Sequence, residues 1–341
     1  MKKKLIAFDL EGPLSPMDHA FDSMALVENG DKIFSVLSRY DDLLALEGKE
    51  GYEPGDTLSL IIPFLLSHRI KEKDLLEVSS RAGLVKGAKE LMGELKEMGW
   101  HVHIISTSYR QHAYSIASRL DVPITQDGER IVFCTELPLD DYYSRLGKED
   151  FSLMEGVEKY ILDNLYTEDL ESGEKDREMK GYLDSFFWKQ LKETRLGEIF
   201  TEVRVMGGRR KVRSVEIILQ RHKAYLENIA VVGDSITDFQ MLKAVEAGGG
   251  LAVVFNGNTY ALSYGTCSLA TTDMRNLQYL LDLWIQGGRE KVRKDVNIRY
   301  NTGEEPFYHW LVGKEASEIQ EIVQIHKGTR NAVRGRAAKL G

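Results

Sequence analysis

Six side chains in this 341-residue sequence are of the types that phosphate-ester chemistry requires, and each stands where an apolar run or a helical stripe begins or ends. Moving a phosphoryl group off an ester takes a nucleophile, an acid for the leaving oxygen, counter-charge for the phosphoryl oxygens and, afterwards, an activated water. A carboxylate can supply the first by forming an aspartyl phosphate. In Phe8-Asp9-Leu10-Glu11-Gly12, Asp9 is placed for that attack and Glu11 for protonating the leaving oxygen and later activating water. Ser106 closes the run 102–105 and offers a hydroxyl and exposed backbone N–H groups to a phosphate oxygen. Lys211, in Gly207-Gly208-Arg209-Arg210-Lys211, opens a helix and can neutralise both nucleophile and phosphate, with Arg209, Arg210 and Arg213 competing for the part. Asp234 and Asp238 are four apart where a strand turns into a helix, so both point to one side. With Asp9 they could hold Mg²⁺, which takes a few carboxylates plus water and phosphate oxygens. Taken singly, each residue also has an ordinary role as a cap, a turn hydroxyl or an exposed charge.

These residues can meet only if the elements around them deliver them to one place. Residues 5–8, 102–105, 229–232 and 251–255 are short apolar runs that stop at a polar group, the pattern of buried parallel strands. Between them lie helical stripes. Ala88, Leu91, Met92, Leu95 and Met98 form one, with Gly99 where a C′ glycine belongs. Val212, Val215, Ile218 and Leu219 precede the third run, and Phe239, Met241, Leu242 and Val245 follow it, ending at Gly248-Gly249-Gly250. The alternation predicts an open α/β sheet, in which ligands bind beyond the carboxyl ends of the strands.

Two long segments interrupt the alternation. Residues 15–83 read as helices, with Phe21, Met24, Ile33, Val36, Leu37, Ile61, Ile62, Phe64 and Leu65 as apolar positions, and are expected to cap the carboxyl edge of the sheet. Residues 137–200 read as a second, acidic helical insertion, in which Glu168, Asp169, Glu171, Glu174, Asp176 and Glu178 are expected to form a solvated face or loop. The predicted organisation is a core of residues 1–14, 84–136 and 201–288, a cap of 15–83, an insertion of 137–200 and a C-terminal extension of 289–341. The extension carries a helix from Glu315 with Ile319, Ile322, Val323 and Ile325, and is expected to pack on the body. Its basic end, Lys327 to Lys339, is the one place that could attract nucleic acid.

Composition bounds the alternatives. Apolar residues are 43% of the chain, which excludes a disordered or collagenous polypeptide. Acids outnumber bases 53 to 45; residues 289–341 hold 11 Lys and Arg against 7 Asp and Glu, or +4, which leaves −12 for residues 1–288. Such a body repels nucleic acid, so a nucleic-acid role is not expected. No apolar stretch reaches the roughly 20 residues of a membrane helix, and the first apolar run is too short for a signal peptide, so a cytoplasmic protein is predicted. Cys134 and Cys267 belong to no CxxC or CxxH motif and read as idle thiols. His101 and His103 share a strand face with no third ligand spaced to join them. The Gly-rich fingerprints of nucleotide-binding folds are absent.

Taken together and in order, Asp9-Leu10-Glu11-Gly12, Ser106, Lys211 and Gly233-Asp234 with Asp238 four residues on resemble the four motifs of the haloacid dehalogenase (HAD) superfamily. The phosphoserine phosphatase branch is most similar: Lys86-Gly87-Ala88-Lys89-Glu90-Leu91 before the second strand and the run 251–255 ending at Asn256-Gly257 also match it. The resemblance spans residues 1–14, 84–136 and 203–270. It implies a Rossmann-like three-layer core with a parallel sheet and a helical cap inserted after the first strand. It also implies Mg²⁺ held by Asp9, the Glu11 main-chain carbonyl and Asp234, with Asp238 supporting Lys211 or a metal-bound water. The usual acid/base residue at the position of Glu11 is Asp. Glutamate reaches farther with a similar intrinsic pKa, and some phosphoserine phosphatase relatives carry Asp-Leu-Glu-Gly there. The layout also resembles an archaeal branch labelled as subunit R of an energy-converting hydrogenase. The implied activity is hydrolysis of a small phosphorylated metabolite, with Arg39, Arg69, Arg81 or Arg110 as anchors for a substrate carboxylate or second phosphate. The alternative is a non-catalytic accessory subunit that docks a protein partner through the insertion or the extension.

Overall fold

Parallel strands need connections long enough for a crossover, and the predicted helical stripes supply them. In the computed structural model, which describes residues 3–165, 172–299 and 304–339, the strands are β1 (Leu5–Phe8), β2 (His101–Tyr109), β3 (Thr125–Gln126), β4 (Glu129–Arg130), β5 (Val132–Thr135), β6 (Ile229–Gly233), β7 (Leu251–Phe255), β8 (Cys267–Ala270) and β9 (Phe307–Trp310). Strands β3 and β4 form a small hairpin of their own, and the other seven make one sheet in the order β5-β2-β1-β6-β7-β8-β9. All neighbours in that sheet are parallel except β9, which runs antiparallel to β8. This is the Rossmann-like α/β fold expected.

The position of β1 between β2 and β6 decides where chemistry can happen. Phe8 is in register with Ile104 on one side and Val232 on the other, so the chain leaves β1, β2 and β6 at one edge of the sheet. Side chains alternate along β1: Ile6 and Phe8 join one apolar layer, Leu5 and Ala7 the opposite one. The predicted helix stripes cover these faces, as the helices Ala88–Glu97, Arg209–Arg221 and Phe239–Ala247. Gly99 takes φ +75°, the left-handed conformation that ends a helix without a Cβ penalty.

The two helical segments that interrupt the alternation pack into one apolar core. Ile61, Phe64 and Leu65 of the cap share it with Met154, Ile161, Leu183 and Phe187 of the insertion. The acidic stretch is only partly solvated. Glu178 is exposed, but Asp176 is buried and paired with Arg39 of the cap at 2.7 Å. Glu168, Asp169 and Glu171 lie outside the described residues, as does the side chain of Glu174.

The C-terminal extension belongs to the core. Strand β9 extends the sheet at its β8 edge, and the helix Ala316–Arg334 buries Ile319 and Ile322 in the apolar layer that also holds Leu5 and Ala7. Arg330 and Arg334, within the basic stretch Lys327 to Lys339 expected to fray from the body, are instead buried. Among the described residues no helix is long and apolar enough to cross a membrane.

Candidate active site

Asp9 follows the last residue of β1, and its backbone N–H donates to Val232 O of β6 at 2.8 Å. That bond fixes the first acid beside the turn that carries Asp234. The loop after Asp9 is tight: Gly12 N–H donates to Ser15 O at 2.7 Å, with Gly12 at φ +96°. Glu11 leaves this loop with one carboxylate oxygen accepting from Ser108 Oγ and the other from the His19 backbone N–H at 3.3 Å.

Lys211 sits in the first turn of the helix Arg209–Arg221, and its side chain is wholly buried. Its ammonium donates to Asp9 Oδ1 at 2.8 Å and to Asp238 Oδ1 at 2.6 Å. Of the four cations competing for this place, Lys211 fills it; Arg210 turns instead to Asp56 of the cap at 2.9 Å. Asp238 uses its second oxygen to accept the backbone N–H groups of Asp234 (3.0 Å) and Ser235 (3.2 Å). It therefore ties Lys211 to the loop after β6, and a Cβ on Gly233 would come 2.6 Å from Asp238 Cβ. Glycine at 233 is what lets the loop close this tightly.

Asp9, Glu11, Asp18, Thr107, Asp234, Arg330 and Arg334 line a cavity of about 390 Å³, roofed by the cap through Phe34, Arg39, Asp41 and the loop at Pro54 and Gly55. The roof comes close to the floor. A Cβ on Gly55 would meet Thr107 Cγ2 at 2.8 Å, and one on Gly207 would meet Pro54 O at 2.1 Å. Glycines at these two positions let the cap approach the core.

Ser106 is buried, hydrogen-bonded to Ser108 at 3.0 Å, and outside the cavity lining. Strand β2 continues past the expected end at 105 to Tyr109, with a register shift against β5. The hydroxyl residue that β2 brings to the cavity wall is thus Thr107, whose buried Oγ1 has no hydrogen-bond partner in the structure. A β-branched residue favours the extended backbone, which is the signal that could have lengthened the predicted strand. Of the four arginines proposed as anchors, Arg39 lines the cavity; Arg69 stacks on Phe151, Arg81 pairs with Glu77 and Arg110 pairs with Glu72.

Electrostatics set the demand for positive charge. Burial, then the Asp238 and Asp234 carboxylates, push the Asp9 carboxyl above its usual range, against the pull of Lys211. Burial, followed by Asp18, pushes Glu11 up to about 7, opposed by the Ser108 hydrogen bond. A divalent cation fits this donor set. One carboxylate oxygen from each of Asp9, Asp234 and Asp238 lies within 4.8 Å of the others, and all three residues are buried. Gly12 leaves the space open: a Cβ there would sit 2.3 Å from Asp234 Oδ2. Because both oxygens of Asp238 are engaged by Lys211 and backbone N–H groups, Asp9 and Asp234 are the side chains with capacity for a metal.

The histidine pair His101 and His103 gains a companion the sequence reading missed. His222 Nε2 lies 3.3 Å from His103 Nε2, and its ring centroid is 4.5 Å from that of His101. Among the described residues the aspartate triad is nonetheless the one His, Cys, Asp or Glu group with ligand atoms close enough to share an ion.

No family model matches the chain, and no curated protein matches it in sequence. Solved structures do match. The gene product AF1437 from Archaeoglobus fulgidus superposes with a TM-score of 0.81 at 28% identity, over 99% of both chains. A phospho-aspartyl intermediate analogue of phosphoserine phosphatase gives a TM-score of 0.51 at 18% identity, over 82% of this chain and 99% of that one. A substrate-bound phosphoserine phosphatase complex gives 0.52 at 17% identity, with the same two coverages. The fold is shared with these phosphoserine phosphatases. At these identities the likeness to the phosphatases is one of fold, and the case for chemistry rests on the residues around the capped cavity.

Proposed function

We propose that this protein is a Mg²⁺-dependent phosphohydrolase that cleaves a small-molecule phosphomonoester through a phosphorylated Asp9. The observation that carries the reading is the Asp9 carboxylate, held at 2.8 Å by the buried Lys211 and lining the same capped cavity as Glu11. Lys211 engages Oδ1, which leaves Oδ2 as the attacking atom. Attack on phosphorus forms the Asp9 O–P bond and breaks the ester P–O bond. Glu11 gives its proton to the departing oxygen. The same carboxylate then takes a proton from water as that water attacks phosphorus, which regenerates Asp9 and releases inorganic phosphate. The unpartnered Thr107 hydroxyl is suited to a phosphoryl oxygen, in the role first assigned to Ser106.

Mg²⁺ held by Asp9, the Glu11 main-chain carbonyl and Asp234 would supply positive charge to the phosphoryl oxygens. Lys211 pulls the buried nucleophile toward its ionised form, against burial and the neighbouring carboxylates, and anchors it through Asp238 to the loop that carries Asp234. The cap roof shields the phosphate from bulk water and limits substrates to those that fit beneath Phe34, Arg39 and Asp41.

The test is a panel of metabolite phosphates and p-nitrophenyl phosphate, run with Mg²⁺ and with EDTA. Hydrolysis of at least one ester, lost in EDTA and restored by Mg²⁺, is the expected result. No turnover of any ester in either condition contradicts the reading. It would favour the alternative of a non-catalytic accessory subunit.

A further inference from the structure

The inference rests on the reading of Asp9 and Asp234 as metal-holding carboxylates, and it concerns two residues outside all four motifs. Arg330 and Arg334 are four apart on the helix Ala316–Arg334, so they share one face. Both reach Asp234 Oδ2, Arg334 through Nη1 at 3.1 Å and Arg330 through Nη1 in a closer ion pair. Arg330 Nη1 also lies 3.4 Å from Asn256 O, and Arg334 Nη2 lies 3.5 Å from Met17 O. The two arginine side chains are 5% exposed and Asp234 is 2% exposed, so neither pairing is a surface contact.

The helix that carries them is a fixed part of the core. His326, fully buried one turn before Arg330, accepts the Gly257 backbone N–H on Nδ1 at 2.9 Å, and its Nε2 lies 3.0 Å from Ser268 Oγ. Ile319 and Ile322 lie in the apolar layer beneath. Such a helix holds its guanidinium groups at the site whether or not a metal is bound. Five carboxyls gather here, Asp9, Glu11, Asp18, Asp234 and Asp238, against three cations, Lys211, Arg330 and Arg334.

We propose that Arg330 and Arg334 are positioning residues: a built-in counter-charge on Asp234 that holds this carboxylate in place without metal and weakens its grip on the divalent ion. Oδ2 is committed to the guanidinium groups, which leaves Oδ1 for the cation. Each guanidinium also repels a cation placed a few ångströms away in a poorly screened site. Metal and arginine charge oppose one another through a shared ligand, so removing the arginines tightens metal binding. A purely structural role, seating the helix on the core, predicts no change in metal affinity.

The experiment titrates Mg²⁺ calorimetrically into the metal-free, full-length protein and into an Arg330→Met/Arg334→Met variant, which keeps bulk and removes charge. The variant is expected to bind Mg²⁺ about tenfold more tightly. Its thermal midpoint in EDTA is expected to fall by about 5 °C or more, and to recover on adding Mg²⁺. Equal or weaker Mg²⁺ affinity in the folded variant overturns the proposal. Should the double variant not fold in EDTA, Arg334→Gln alone must move affinity in the same direction, and equal or weaker binding there overturns it as well. In an Asp234→Asn background the same arginine substitutions must no longer lower the midpoint; a persistent drop assigns them to helix packing and overturns the proposal. Absence of Mg²⁺ binding in the unaltered protein is a different failure, that of the metal reading itself, and removes both.

Discussion

Replacing Asp9 with asparagine is expected to lower hydrolysis of any accepted phosphate ester by about 10⁴-fold or more, since an amide cannot serve as the nucleophile. The fold should survive. Asp9 is buried beside Asp238 and Asp234, which push its carboxyl up, so removing its charge relieves repulsion while Lys211 retains Asp238 at 2.6 Å. Steady-state kinetics with p-nitrophenyl phosphate, paired with urea unfolding, checks both parts. An Asp9→Asn protein that is folded and retains full turnover would show that the nucleophile lies elsewhere.

Lys211→Met is expected to damage stability and catalysis together. The ammonium is wholly buried and bridges two carboxylates, so its removal leaves Asp9 and Asp238 as neighbouring unpaired charges. Breaking a buried ion pair from one side costs about 3–5 kcal/mol. Urea unfolding in EDTA should register a loss of that size, and Mg²⁺ should restore part of it by supplying charge at Asp9. Turnover should fall as well, because the nucleophile loses its fixed partner. A stability change below about 1 kcal/mol would mean that Lys211 is not the cation on which this cluster depends.

How far the site was legible depends on how local its signals are. Asp9, Lys211, Asp234 and Asp238 each begin or end a regular element, and the hydrophobic period that defines the element also marks the residue. Their convergence follows from parallel pairing of β1 with β6, which places Asp9 N–H on Val232 O. Thr107 was missed because the predicted strand stopped at an apolar boundary, whereas β2 continues through a register shift to Tyr109. Arg330 and Arg334 were missed for a different reason. They lie 96 and 100 residues from Asp234 along the chain, and a basic helix end reads as solvated until its partner is known. Long-range pairing of this kind leaves no periodic trace. The same holds for Arg39 and Asp176, which join the cap to the insertion across 137 residues.

The glycines show the limit from the other side. Gly12, Gly55 and Gly207 carry no chemistry and no periodic signal, yet each permits an approach that a Cβ would block: to Asp234, to Thr107 and to Pro54. The chemistry at Asp9 depends on such spacing as much as on its charged groups.

The proposed mechanism requires that phosphate become covalently attached to Asp9 during turnover. The direct measurement is to quench the protein in mid-reaction with an accepted ester, reduce it with borohydride and map the modified peptide by mass spectrometry. An acyl phosphate at Asp9 is converted to homoserine at that position, and this conversion, absent without substrate, is the predicted result. Sustained hydrolysis with Asp9 unmodified, or with the modification on another residue, would contradict it.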